Sequence, residues 1–186
     1  MKSVNDHFYI QRVKDGDFHA FSQIVCKYQS MVLTIVKKMV DNREDAEDIT
    51  QEVFIKVFKS LGQFKEESEF STWLYRIAYN TTLSELRKRK FSFVSVDELL
   101  PIENEVVRDE IEELDSERKL QHLDSALKLL PPDEIFLITL YYMDNQSMDA
   151  ISQISQLSVS NVKVKLHRIR KKLAAEINKS MQNENR

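Results

Sequence analysis

Glycine and proline are nearly missing from this chain, with two and three residues respectively among 186. That scarcity limits the fold more than any other feature. An all-β protein of this length would need on the order of a dozen tight turns, and glycine and proline dominate such turns. Collagen-like and low-complexity classes fail on the same count. What remains is a set of helices joined by short polar connections. No apolar run approaches the roughly 18 residues of a membrane span, and no basic-then-apolar signal segment opens the chain. Cys26 is the single cysteine. It has no internal partner for a disulfide, so a reducing cytoplasm is the expected location.

The net charge of −3 argues against a nucleic-acid binder when read as an average, but it is unevenly spread. Residues 1–93 hold 15 basic and 13 acidic side chains, and residues 118–186 hold 11 and 7. Residues 94–117 hold ten acids (Asp97, Glu98, Glu103, Glu105, Asp109, Glu110, Glu112, Glu113, Asp115 and Glu117) against Arg108. Such a run repels itself and buries little. The expected organisation is therefore an all-α protein with two small helical domains, 1–93 and 118–186, joined by an acidic linker over 94–117. The linker reads equally as a spacer or as a functional acidic arm.

In the first domain Phe18, Phe21, Val25, Tyr28, Val32, Ile35 and Met39 recur every three or four residues, one apolar stripe on a helix. Asp17 is the expected N-cap, and Asp41-Asn42 ends it. A second helix runs from about Glu44 to Leu61, with four acids in its first turns and Gly62 closing it. Ala46, Ile49, Val53, Phe54, Val57 and Leu61 gather on one side, Asp48, Gln51, Glu52 and Lys59 on the other. Ile55 sits inside that polar face, either as a stray apolar residue or as the centre of a partner surface. A third helix, capped by Ser71, leads to Arg87-Lys88-Arg89-Lys90. Its Trp73, Arg76, Asn80 and Arg87 form a separate stripe, suited to stacking on bases and gripping phosphates. Burial of Trp73 in the core is an equally weighted reading.

The second domain begins with a helix over 118–130 (Leu120, Leu123, Leu127, Leu130) stopped by Pro131-Pro132. Asp133 then caps an apolar helix to Met143. Ser147 caps a short helix, and Ser158 caps a long one with Val162, Leu166, Ile169, Leu173 and Ile177 inward. The outward arc carries Ser160, Asn161, Lys163, Val164, His167, Arg168 and Lys171, and six cations with no acid lie between Ser160 and Ala175. A short helix, a tight turn and a basic helix match helix-turn-helix spacing. Its outward residues would read base edges, with Arg170, Lys171 and Lys172 on phosphates. No Gly-rich phosphate loop, CxxC pair or HExxH occurs, and the four histidines lack ligand spacing. Neither an enzyme nor a cofactor or metal protein is expected.

Asp45-Ala46-Glu47-Asp48-Ile49-Thr50-Gln51-Glu52-Val53-Phe54, followed by Phe70 to Asn80 and Arg87-Lys88, resembles region 2 of the extracytoplasmic-function (ECF) sigma factors of bacterial RNA polymerase. The basic helix-turn-helix after Pro131-Pro132 resembles their region 4. Together they cover most of 8–93 and 118–178, in the family's order. The resemblance implies a non-catalytic initiation subunit that directs core polymerase to −10 and −35 promoter DNA. Asp48, Gln51, Glu52, Ile55 and Lys59 would bind the clamp helices of the β′ subunit, with the β flap as a further polymerase contact. Lys56, Phe64, Trp73, Arg76, Asn80, Arg87 and Lys88 would meet the melted −10 strand. Ser160, Asn161, Lys163, Val164, Lys165, His167, Arg168 and Lys171 would read the −35 element. The acidic linker would thread the polymerase's basic channels as an electrostatic mimic, and an anti-sigma factor would be the inhibitory partner.

Departures from the family fall in the helix-turn-helix. Ala150-Ile151-Ser152 replaces the usual Glu-Ile-Ala, Gln156 and Ser160 stand where glycine is frequent, and Asn161 stands where threonine is. Gln156 must then take a turn conformation that glycine reaches at lower cost. Two other readings stay open at this point: a stand-alone helix-turn-helix regulator with a helical sensor domain, and a helical adaptor that binds no DNA. Whether the two domains pack together or splay apart is open as well.

Overall fold

The computed structural model describes residues 6–90 and 116–184, and every regular element among them is helical. The first domain consists of α1 (Asp6–Lys14), α2 (Phe21–Met39), α3 (Arg43–Ser60) and α4 (Phe70–Lys90), with 3-10 turns at Phe18–Ala20 and Leu61–Gln63. The second holds α5 (Ser116–Lys128), α6 (Pro132–Tyr142), α7 (Met148–Ser155) and α8 (Val159–Glu184). Residues 94–115 of the acidic linker lie outside the described residues.

Side-chain caps explain the starts of three helices. The Asn42 side chain caps α3, its Oδ1 accepting from Glu44 N at 2.9 Å. Ser147 caps α7 and Ser158 caps α8, their hydroxyls accepting from Ala150 N at 3.1 Å and Asn161 N at 3.2 Å. Four expected details differ. Asp17 makes no cap bond; its carboxylate pairs with Arg12, and a 3-10 turn precedes α2. Ser71 lies inside α4, whose first turn closes from Trp73 N to Glu69 O. Asp133 is likewise inside its helix, which starts at Pro132. Gly62 sits within a 3-10 turn rather than in a left-handed cap.

Helix α1 carries little periodic signal, burying only Ile10 and Val13. Its anchors are tertiary: the Tyr28 hydroxyl donates to Asp6 Oδ2 at 2.6 Å, and Lys27 pairs with the same carboxylate. Along α2 the buried residues are Ile24, Tyr28, Val32, Ile35, Val36 and Met39. Phe18, expected in the core stripe, is 64% exposed because the 3-10 turn rotates it off that face.

The two domains pack on each other. Six consecutive residues of α6, Ile135 to Leu140, are all buried. A helix segment buried all round needs cover on every side, and the middle of α6 obtains it from α8 and α7 and from α2 and α4. Helix α7 also lies against α4. The Tyr79 and Phe136 rings meet across this boundary at 4.6 Å between centroids, so the buried core continues from one domain into the next.

Candidate nucleic-acid interface

Three exposed faces carry most of the expected site residues. On α3, the six inward positions named from the sequence are all buried, which turns the opposite arc to solvent. Asp48, Gln51, Ile55 and Lys59 are exposed there, and Glu52 is half-buried beside Lys56, their charges 3.7 Å apart. Ile55 is 46% exposed within this polar surround. One extension was not anticipated. Phe58, one turn beyond Ile55, is exposed and packs edge-on against Phe21 at 5.1 Å and Phe18 at 5.6 Å. The Ile55–Phe58 spacing of three was the available signal, but assigning Phe18 to the core concealed it.

On α4, the structure brings Trp73, Arg76 and Asn80 together on one face, with Arg76, Asn80 and Arg87 exposed. Trp73 is partly buried, its ring 5.0 Å from Phe64 and 5.7 Å from Phe70. Trp73 is thus neither wholly buried nor wholly free: one side packs on the core and the rest meets solvent. Phe64, expected on the DNA face, is only 5% exposed. It lies beneath the tryptophan, where apolar contact holds it, and supports that ring rather than presenting its own. Lys88 is exposed and paired with Glu85 at 2.7 Å.

On α8, Val162, Leu166, Ile169 and Leu173 are buried against the other helices of the domain. Ser160, Asn161, Lys163, Val164, Arg168 and Lys171 are exposed on the opposite side, and His167 is half-buried. Lys165 differs from the rest. At 100° per residue it lies beside the buried stripe, and its Nζ donates to Asp133 Oδ2 at 2.9 Å. Lys172, on the same flank, pairs with Glu134 at 2.6 Å. The two acids at the start of α6 thus hold two of the six cations, leaving a narrower basic arc than the sequence count implies.

The turn between α7 and α8 runs through Gln156 at φ 60°, ψ 24°, the left-handed region that the absence of glycine forced on this residue. Ser152, in place of a family alanine, donates its hydroxyl to Leu157 O at 2.6 Å and braces that turn. Among the described residues no group of histidine, cysteine or acidic side chains is placed to hold a metal, and no helix is long and apolar enough to cross a membrane.

Two small helical domains, the second a helix-turn-helix with a basic recognition arc, define a DNA-binding transcription protein. Comparison with known proteins makes this specific. Residues 24–92 match sigma-70 region 2 and residues 120–173 match sigma-70 region 4. The chain is 33% identical over 176 residues to the ECF RNA polymerase sigma factor SigW of Bacillus subtilis, covering 90% of this chain and 94% of that protein. It is 31% identical over 173 residues to the RNA polymerase sigma-H factor of Pseudomonas aeruginosa, covering 89% and 90%. Among solved structures, CnrH in complex with the cytosolic domain of CnrY shares the fold, with a TM-score of 0.66, 21% identity, and 93% and 97% of the two chains covered. The chain belongs to the ECF sigma factors of the sigma-70 family.

Proposed function

We propose that this chain is an alternative, non-catalytic sigma factor that acts in the cytoplasm, binds core RNA polymerase and starts transcription at its own promoters by recognising the −35 element and melting the −10 element. The observation that carries this reading is that one chain exposes two separate faces whose chemistry suits two different forms of DNA. The Trp73–Arg76–Asn80 face offers a ring and polar groups suited to unpaired bases. The α8 arc, Ser160 to Lys171, has the shape and charge of a major-groove reader. A stand-alone helix-turn-helix regulator needs only the second.

In this reading Asp48, Gln51, Glu52, Ile55 and Lys59 dock on the β′ clamp helices, and the second domain meets the β flap. Lys56, Arg76, Asn80, Arg87 and Lys88 surround the −10 strand, with Trp73 stacking and Phe64 supporting it. The linker over 94–117 separates domains 1–93 and 118–186 and runs through the polymerase. Elements centred about 25 base pairs apart lie about 85 Å apart along B-DNA, whereas α8 packs on α7 and α7 on α4, at helix spacings of about 8–10 Å. Engaging both elements therefore parts the two domains, and an anti-sigma factor that holds them together would block initiation.

Run-off transcription from a genomic promoter library, with core polymerase in the presence and absence of this protein, tests the proposal. Discrete start sites that depend on the chain support it. A chain that binds duplex operators tightly without polymerase, and adds no start sites with it, refutes it.

A further inference from the structure

The segment from Phe64 to Glu69 connects the second 3-10 turn to α4 without regular structure, and it carries three carboxylates and one lysine. It leads straight into the Trp73 face. Glu66 within it sits at φ 61°, a left-handed conformation that a residue with a Cβ keeps only when its surroundings hold it. Those surroundings are α1. Lys14 Nζ donates to the Phe64 carbonyl at 2.9 Å, lies 3.5 Å from Glu66 Oε1 and stands 5.9 Å from the centre of the Phe64 ring. His7 Nδ1 meets the other carboxylate oxygen, Oε2, at 2.6 Å. These contacts hold the Glu66 carboxyl below its usual range, the His7 hydrogen bond contributing most. Helix α1 is itself fixed to α2 through Asp6, Lys27 and Tyr28.

The chain of contact is short. Lys14 touches the backbone and ring of Phe64, and Phe64 lies 5.0 Å from Trp73. We propose that Lys14, assisted by His7, is a positioning residue for single-stranded DNA binding: it clamps the Phe64–Glu69 segment so that the Trp73 ring is held ready for unpaired bases. The inference rests on the reading that the Trp73–Arg76–Asn80 face takes the melted strand. No sequence motif marks Lys14, because its partners lie 50 and 52 residues away.

Trp73 is the only tryptophan in the chain, and its neighbours Arg76 and Asn80 are exposed in the packed form, so the full-length free protein is the right reagent. Titration with a random-sequence 12-nucleotide single-stranded DNA should quench Trp73 fluorescence. Lys14→Met should weaken binding at least fivefold and Lys14→Arg no more than twofold, with core-polymerase pull-down unchanged. Glu66→Ala separates positioning from direct contact: loss of the clamp weakens binding, whereas removal of a repelling charge alone would tighten it. Weaker binding in both Lys14→Met and Glu66→Ala supports the inference, and Glu66→Ala serves alone if Lys14→Met proves unstable. Unchanged binding in Lys14→Met, or tighter binding in Glu66→Ala, overturns it. If those variants bind normally while Arg76→Ala loses affinity, the clamp fails and the strand-binding reading stands. If the unmodified protein shows no quenching, both fall.

Discussion

The Tyr75 hydroxyl donates a 2.8 Å hydrogen bond to Asp144 Oδ2 across 69 residues of sequence, tying α4 of the first domain to the turn that follows α6 in the second. Burial, then the bond to Asp144, pushes ionisation of this phenol far above its usual range. Tyr75→Phe removes one partner and leaves the carboxylate less satisfied, at a cost of about 1–2 kcal/mol. Fluorescence energy transfer between dyes on the two domains should fall in this variant, and the thermal midpoint should drop. On the proposed reading, in which promoter engagement parts the domains, transcription with core enzyme should stay level or rise; a clear fall would show that the contact serves initiation instead.

Alkaline stability follows from three tyrosines. Burial is the main cause of raised pKa in Tyr28, Tyr75 and Tyr79, with Asp6 adding to the first, Asp144 to the second and Asp133 to the third. Tyr79 moves from 10.0 to about 12. A raised folded-state pKa means that the stabilisation is complete below the unfolded value, near pH 10, and is lost as pH rises through the folded values. Urea midpoints should be insensitive to these groups from pH 7 to 9 and fall from pH 10 to 12, and Tyr75→Phe together with Tyr79→Phe should flatten that fall.

Gln156 is strained by its place in the turn at φ 60°. Gln156→Gly relieves the left-handed penalty, partly offset by greater freedom of the unfolded chain. A net gain of about 0.5–1 kcal/mol is expected, a rise of about 1–4 °C in thermal midpoint for a chain of this size. Calorimetry settles the sign. Ser152→Ala, which removes the brace to Leu157 O, should shift it the other way.

Arg168 and Lys165 should behave differently although both are cations of α8. Arg168 is exposed on the arc, so Arg168→Ala should weaken promoter binding and lower the salt slope by about one if it meets phosphate. Lys165 is held by Asp133. Loss of that half-exposed pair should cost about 0.5 kcal/mol of stability and change promoter affinity less than Arg168→Ala does. Equal losses of affinity would place Lys165 on the DNA.

Ile55→Ala on the α3 arc should weaken core-polymerase binding by about 1–2 kcal/mol without moving the thermal midpoint, since the side chain is 46% exposed. Phe58→Ala, on the adjoining exposed aromatic edge, should weaken it as well. Surface plasmon resonance with immobilised core enzyme measures both.

Much of the molecule was legible along the chain because helices report themselves locally. The 3.6-residue period placed the core faces of α3 and α8, side-chain caps marked the starts of α7 and α8, and the lack of glycine located the strained turn at Gln156. The polar arc of α3 and the Trp73–Arg76–Asn80 stripe came from the same angular arithmetic. Helix α1 was not legible, since nine residues with two buried side chains make almost no periodic signal. Phe18 was misplaced because one 3-10 turn, which periodicity does not see, rotates it outward.

By itself, then, the amino-acid order determined the all-helical class, the two domains' worth of helix faces and the chemistry those faces carry, because each depends on neighbours within about four residues. Tertiary structure alone decided which cations stay free. Lys165 and Lys172 are taken by Asp133 and Glu134, Lys14 reaches Phe64 and Glu66, and Tyr75 finds Asp144. The apolar run of α6 was read along the chain as a helix of the second domain; that the first domain covers it as well was decided by packing. These pairings join residues 32 to 69 positions apart, and the meeting of distant side chains is fixed by packing, which no local pattern encodes.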